Sequence, residues 1–147
     1  MPLMSNTTTF EEILEKDGEL FYTNVGNSMN PLIVQGRDVM IISKVNGRLK
    51  KYDVPLYKRK NGQYVLHRIL KVRENDYLIC GDNRCDVESG ITDDQILGKL
   101  TGLMRNGKHI ELSGKEYERY LLTLPLRRNY LRIRRVLGKI KRVITHK

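Results

Sequence analysis

The sequence predicts a mainly β protein: a compact, mostly antiparallel β domain with a short helix before it and amphipathic helices after it. Three observations predict this class. Between residues 20 and 112, short runs rich in Val, Ile, Leu and Tyr alternate with turn residues. Three Asn-Gly pairs, Asn46-Gly47, Asn61-Gly62 and Asn106-Gly107, each stand between such runs, and Asn-Gly suits the positive-φ turn of a tight hairpin. After Gly114 the apolar period lengthens to that of a helix. A chain of 147 residues favours one main domain. Residues 1–124 are expected to form it, followed by a basic amphipathic segment, 125–147.

Thr9 with Glu12 fits a capping box, Phe10, Ile13 and Leu14 form an apolar stripe, and Gly18 is a stop. The spacing predicts a helix over about 9–17. The runs LFYTNV, DVMIISKV, DVPLYKR, QYVLHRILKV, YLIC, LGKLTGLM and HIEL then read as strands. Pro55 cannot donate to a ladder, so its strand is expected at an edge or with a bulge. KEYERYLLTL is helical in composition, and Pro125 interrupts it. Beyond it, Leu126, Tyr130, Ile133, Leu137, Ile140 and Ile144 recur at spacings of four and three, one apolar seam on a helix.

The net charge of +10 is unevenly spread. Nine of the 27 basic residues follow Pro125, and none of the 17 acidic ones does. The body is therefore close to neutral and the tail strongly basic. No apolar run approaches the ~18 residues a membrane-spanning helix needs. The opening MPLMSNTTTFEEILEKDGE has no basic segment followed by an apolar one, so no signal peptide is expected. A cytoplasmic protein is expected, with peripheral attachment at the inner face of the membrane as a further expectation. Cys80 and Cys85 are too few for a disulfide framework and read as reduced thiols. With His67, His109 and His146 as the remaining soft ligands, neither a metal site nor a cofactor is expected.

GNSMNP at 26–31 places Ser28 in a glycine- and proline-flanked turn. A serine is a weak nucleophile without a nearby base. Arg68 cannot be one, because guanidinium keeps its proton. Lys58, Lys60 and Lys71 read as solvated edge charges. His67, alternating with Val65 and Ile69 on one strand face, is the default base. A histidine so placed is, taken alone, more often a hydrogen-bonded core residue. CGDNRCDVESG is a tight turn in its own right. It also offers Asp82, Asp86 and Glu88 as carboxylates to hold an imidazole in one tautomer.

Taken in order, GNSMNP, GRDVMII, LKKYDVPLYKRKNGQYVLHRI and ICGDNR resemble the signal peptidase I family and its soluble relatives, over roughly residues 20–100. The resemblance implies a serine endopeptidase on a compact, coiled antiparallel β domain of the signal-peptidase type. Most bacterial members pair the serine with lysine. His67-Arg68 at that position resembles the serine–histidine branch. Carried over, Ser28 is the nucleophile and His67 the general base of a Ser-His dyad or Ser-His-acid triad, with the acid open among Glu88, Asp82 and Asp86. Gly26 and Met29 are the candidate substrate-binding residues. Met29 is expected to line the pocket for the residue before the cut. Gly26 stands where some relatives supply a hydroxyl to the oxyanion. The sequence departs from the family pattern at Gly36-Arg37-Asp38, where an arginine is inserted, at Tyr52-Asp53, where glycine-aspartate is expected, and in showing no membrane anchor.

The expected substrate is a peptide or protein precursor segment in extended form. One alternative is a relative that keeps the fold, has lost the activity and binds peptides or membranes through its tail. A self-cleaving repressor is disfavoured: too few residues precede the first strand for a DNA-binding domain. For residues 126–147 the expected partner is an anionic membrane surface. Docking on the body is the competing reading, and nucleic acid is not expected, because no zinc-finger or helix-turn-helix pattern accompanies the basic seam.

Overall fold

A computed structural model describes residues 8–146. Residues 1–7, part of the segment read for a signal peptide, and Lys147 of the basic tail lie outside the described residues. In chain order the elements are α1 (Phe10–Asp17), β1 (Glu19–Thr23), β2 (Asp38–Lys44), β3 (Pro55–Lys58), β4 (Tyr64–Leu66), β5 (Arg68–Val72), β6 (Tyr77–Cys80), β7 (Glu88–Ile91), β8 (Ile96–Arg105), β9 (Lys108–Glu111) and α2 (Gly114–Thr145). A single 3-10 turn, Asp93–Gln95, leads into β8.

The expected first helix forms as α1, with Thr9 as its cap. The Glu12 N–H donates to Thr9 Oγ1 (3.2 Å) and the Thr9 N–H to Glu12 Oε2 (3.0 Å). Gly18, at φ 72°, ends it by donating its N–H to the Leu14 carbonyl. Two sheets follow. The larger has the order β1-β2-β8-β3-β4, with β9 added to β8, and the smaller has β5-β6-β7. All the pairings are antiparallel. The larger sheet curls until Phe10 of α1 bridges its edges, meeting Tyr22 of β1 and Tyr64 of β4 edge-on at 4.8 Å each. Inside it lie Leu14, Leu20, Ile33, Met40, Leu56 and Leu103. A second cluster, including Tyr57, Ile69, Tyr77 and Ile79, fills the space over the smaller sheet. Each such side chain contributes roughly 1.5–3 kcal/mol on burial.

Several expectations are corrected in detail. Asn106-Gly107 makes a two-residue hairpin between β8 and β9, with φ of 52° and 75°. Asn61-Gly62 turns β3 into β4 through a five-residue loop. Asn46-Gly47 makes no hairpin: β2 and β3 both pair with β8 and not with each other. Pro55 is the first residue of an internal strand rather than an edge one, and of the two alternatives expected for it the bulge is the one present, between Leu56 and Tyr57. QYVLHRILKV is two strands rather than one, broken at His67, where the chain leaves one sheet for the other. Tyr52 has φ 75°, a left-handed backbone that suits glycine. That is the residue type which the resemblance leads one to expect at this turn.

Pro125 does not interrupt the C-terminal helix. Proline removes one donor and crowds the carbonyl four residues back, a cost of about 3 kcal/mol. The turn around it is held from outside: Leu124 is buried, and Tyr117 and Tyr120 bond to a buried ion pair described below.

Candidate active site

Ser28 sits in a loop fixed at both ends. At its start, the Gly26 N–H donates to Gln35 Oε1 (2.8 Å). At its end, the buried Asp38 carboxylate accepts from the Val34 N–H (2.8 Å), Arg37 and Arg105 of β8. Burial pushes Asp38 up, but these bonds outweigh it and hold the carboxyl at about 2. The Asn30 N–H donates to the Asn27 carbonyl, so Asn27 to Asn30 is a tight turn with Ser28 at its second position. Ser28 is half-buried.

The turn after β6 meets this loop. The Asn83 N–H donates to the Ser28 carbonyl (2.8 Å), Asn83 Nδ2 to the Asn27 carbonyl (3.1 Å), and Arg84 to Asn27 Oδ1 (3.0 Å). Gly81 is the contact point. A Cβ built on it would stand 2.6 Å from the Ser28 carbonyl oxygen and 3.2 Å from His67 Cδ2. The serine's backbone and the imidazole thus flank one missing methyl group. His67, in the break between β4 and β5, is also half-buried. Among the described residues, Ser28 and His67 share no direct hydrogen bond. Burial first, then the Arg59 guanidinium, lowers the imidazole from 6.5 to about 4, against an upward pull from Glu88. His67 is therefore neutral at pH 7, the form that accepts a proton.

The three candidate carboxylates have different fates. Asp82 is buried and fully engaged: Arg68 donates to both of its oxygens (2.8 and 2.9 Å) and the Tyr120 hydroxyl to one of them (2.6 Å). Asp86 is exposed and accepts from Arg135 of α2 (2.6 Å), on the tail side of the turn. Glu88, at the start of β7, accepts from the Tyr57 hydroxyl (2.5 Å) and from Arg59 (2.8 Å). Burial raises Glu88, and those bonds overcome it and keep the carboxyl below its usual range. None of the three bonds to His67 among the described residues. Glu88 exerts the strongest upward pull on it, ahead of Asp82.

Met29 and Gly26 are placed differently from expectation. Met29 is completely buried (0% exposed) with its sulfur 3.5 Å from the Asp82 N–H. It is a core residue that joins the serine turn to the Gly81-Asp82 turn, out of a substrate's reach. Gly26 is exposed with φ 96°, and its N–H is already bonded to Gln35. It has no donor left for an oxyanion.

Arg68 was legible only as a residue that cannot be the base; its structural role was not. Its side chain is fully buried, paired with Asp82, and also donates to the Tyr52 carbonyl and the Tyr117 hydroxyl (both 2.8 Å). One guanidinium thus ties β5, the Gly81-Asp82 turn, the loop before β3 and α2 together. A single charged residue among apolar neighbours carries no signal of this in sequence. Arg59 and Tyr57, which hold Glu88 beside His67, gave none either.

A cavity of about 450 Å³ is lined by Phe10, Tyr22, Met40, Leu56, Tyr64 and Leu66 among others, but not by Ser28 or His67. Asn24, four residues before Ser28, also lines it, and its buried Nδ2 has no hydrogen-bond partner. Among the described residues β1 pairs only with β2, which leaves its outer edge without a strand partner there. Among the described residues no group of three or more His, Cys, Asp and Glu is placed to hold a metal ion. Cys80 and Cys85 are free thiols.

No protein-family model matches the chain, and no curated protein sequence matches it.

Proposed function

We propose that this chain is a serine endopeptidase of the signal-peptidase type, cleaving an extended peptide segment through Ser28 and His67. The observation that carries the reading is the convergence of the Ser28 backbone and a neutral His67, both half-buried, on Gly81. In this reading a peptide adds to the free edge of β1, with alternate side chains entering the cavity. Ser28 Oγ attacks the scissile carbonyl as His67 takes its proton. The imidazolium then delivers that proton to the leaving amine, and water repeats the cycle on the acyl-enzyme. The Ser28 N–H, which makes no hydrogen bond among the described residues, is the first oxyanion donor. Glu88 stabilises the imidazolium through its charge, held in place by Tyr57 and Arg59.

One observation favours a second reading, a peptide-binding module without catalysis: no hydrogen bond joins Ser28, His67 and a carboxylate. Incubation of the wild-type protein and Ser28→Ala with a library of unstructured peptides, read by mass spectrometry, separates the two. The protease reading predicts defined cleavage products that vanish in Ser28→Ala while peptide retention persists. Retention without cleavage by the wild-type protein favours the binding module.

A further inference from the structure

The two sides of α2 face different surroundings. Toward the body it turns Tyr117, Tyr120, Leu121, Leu124 and Leu131, its less exposed apolar residues. On that same side Arg127 donates to Asn83 Oδ1 (2.7 Å) and Arg135 to Asp86 (2.6 Å). Leu122, Leu126, Ile133, Leu137, Ile140 and Ile144 are exposed by 49–76%. At 3.6 residues per turn they fall on one side, within a sector of about 80° that also holds Tyr130. That sector lies opposite the docking side, so the seam points away from the body. Covering it with the body would mean breaking the contacts just named. A continuous apolar stripe of this length in water marks an interaction surface.

The charges choose the occupant. Arg134 and Lys141 border the seam on one side, the exposed Val136 and Val143 widen it on the other with Arg132 and Lys139 beyond them, and no acidic residue follows Glu118 in α2. A second copy docked seam to seam would bring two sets of cations together with nothing to neutralise them. A nucleic acid would take the cations and leave the seam in water. Anionic lipid satisfies both features, with acyl chains for the seam and headgroups for cations that reach upward along its borders.

We infer that α2 is an interfacial helix that lies on an anionic phospholipid bilayer through Leu122, Leu126, Ile133, Leu137, Ile140 and Ile144. Asn83 and Asp86 touch its opposite side, so the Gly81–Asp86 turn stands about one helix diameter, ~10 Å, above the lipid. If the proposed function also holds, cleavage takes place on peptides presented at the membrane surface. Lipid binding itself does not depend on that function.

The test is co-sedimentation of the full chain with vesicles of phosphatidylcholine alone, or of phosphatidylcholine mixed with phosphatidylglycerol, at low and high salt. A second protein carries Leu126→Asn, Ile133→Asn, Leu137→Asn and Ile140→Asn, which keeps every charge. The wild-type chain is expected to pellet with the anionic vesicles at low salt, weakly at high salt, and not with the neutral ones. The seam variant is expected to bind at least about tenfold more weakly. Since that variant risks losing helix, Ile133→Trp gives a second readout: its emission moves to the blue on anionic vesicles. No pelleting at low salt overturns the inference. So does equal pelleting of a helical seam variant, which would mean charge alone. So does a seam-dependent dimer or nucleic-acid complex without lipid binding, or a tryptophan that stays in water.

Discussion

Gly81 illustrates how narrow the site's tolerances are at the scale of one residue. A methyl group there would press on the Ser28 carbonyl, a backbone atom that cannot swing aside, and on the His67 ring. Gly81→Ala is therefore expected to displace the serine from the imidazole and lower kcat by about a hundredfold, measured on any peptide the wild-type protein cleaves. Titration gives a second expectation. His67 falls from 6.5 unfolded to about 4 folded. Stability from this group is full above 6.5 and is lost as pH falls toward 4, on the order of 3 kcal/mol. Asp38 falls from 3.8 to about 2, so its contribution is lost at lower pH still, as pH falls through 2. Chemical denaturation against pH should show the first loss in wild type and a smaller one in His67→Gln. In kcat/KM the acidic limb should have an apparent pKa near 4 rather than 6.5, and Arg59→Gln should move it upward by removing the cation that lowers it most. Ser28, His67 and the three acids stood out in sequence as candidates because of their residue types; that Asp82 is taken up by Arg68 and Asp86 by Arg135 was not legible there. Met29 was misplaced because its spacing beside a serine says nothing about which way it points.

At the scale of elements, the α1 capping box, most strands and the Asn106-Gly107 hairpin follow from local rules that one sequence contains. The split of QYVLHRILKV does not. Its apolar alternation runs unbroken across His67, and periodicity does not record which sheet a strand joins. That split is what puts His67 at the junction of both sheets, against Gly81. Glu88 begins a strand, β7, that ESGI hardly announces. The joint between elements rests on Arg68. Replacing it with alanine leaves Asp82 buried and uncompensated, and Arg68→Ala is expected to cost about 3–5 kcal/mol, seen as a large fall in the urea midpoint. Because Tyr117 and Tyr120 share that network, the loss should also loosen α2, seen as faster amide exchange over residues 114–124. An unchanged midpoint would mean that the pair contributes little beyond what water offers. Pro125 was misjudged for the same reason: a helix-breaking cost of a few kcal/mol is smaller than the packing which holds the turns before it.

At the scale of the molecule, a nearly neutral β body has its candidate site where two sheets and two loops meet, and carries a strongly basic helix that turns its apolar seam outward. The uneven charge was plain in the sequence. The direction of the seam depended on where the body docks, which no local pattern encodes. No helix among the described residues is long and apolar enough to cross a membrane. The central claim is that His67 activates Ser28. Its most direct test is reaction of the folded protein at neutral pH with a fluorophosphonate probe, followed by mass-spectrometric mapping of the adduct. The account predicts one adduct, on Ser28, formed at a rate that falls at least about a hundredfold in His67→Ala. An unlabelled Ser28, or labelling as fast without the imidazole as with it, would contradict the account.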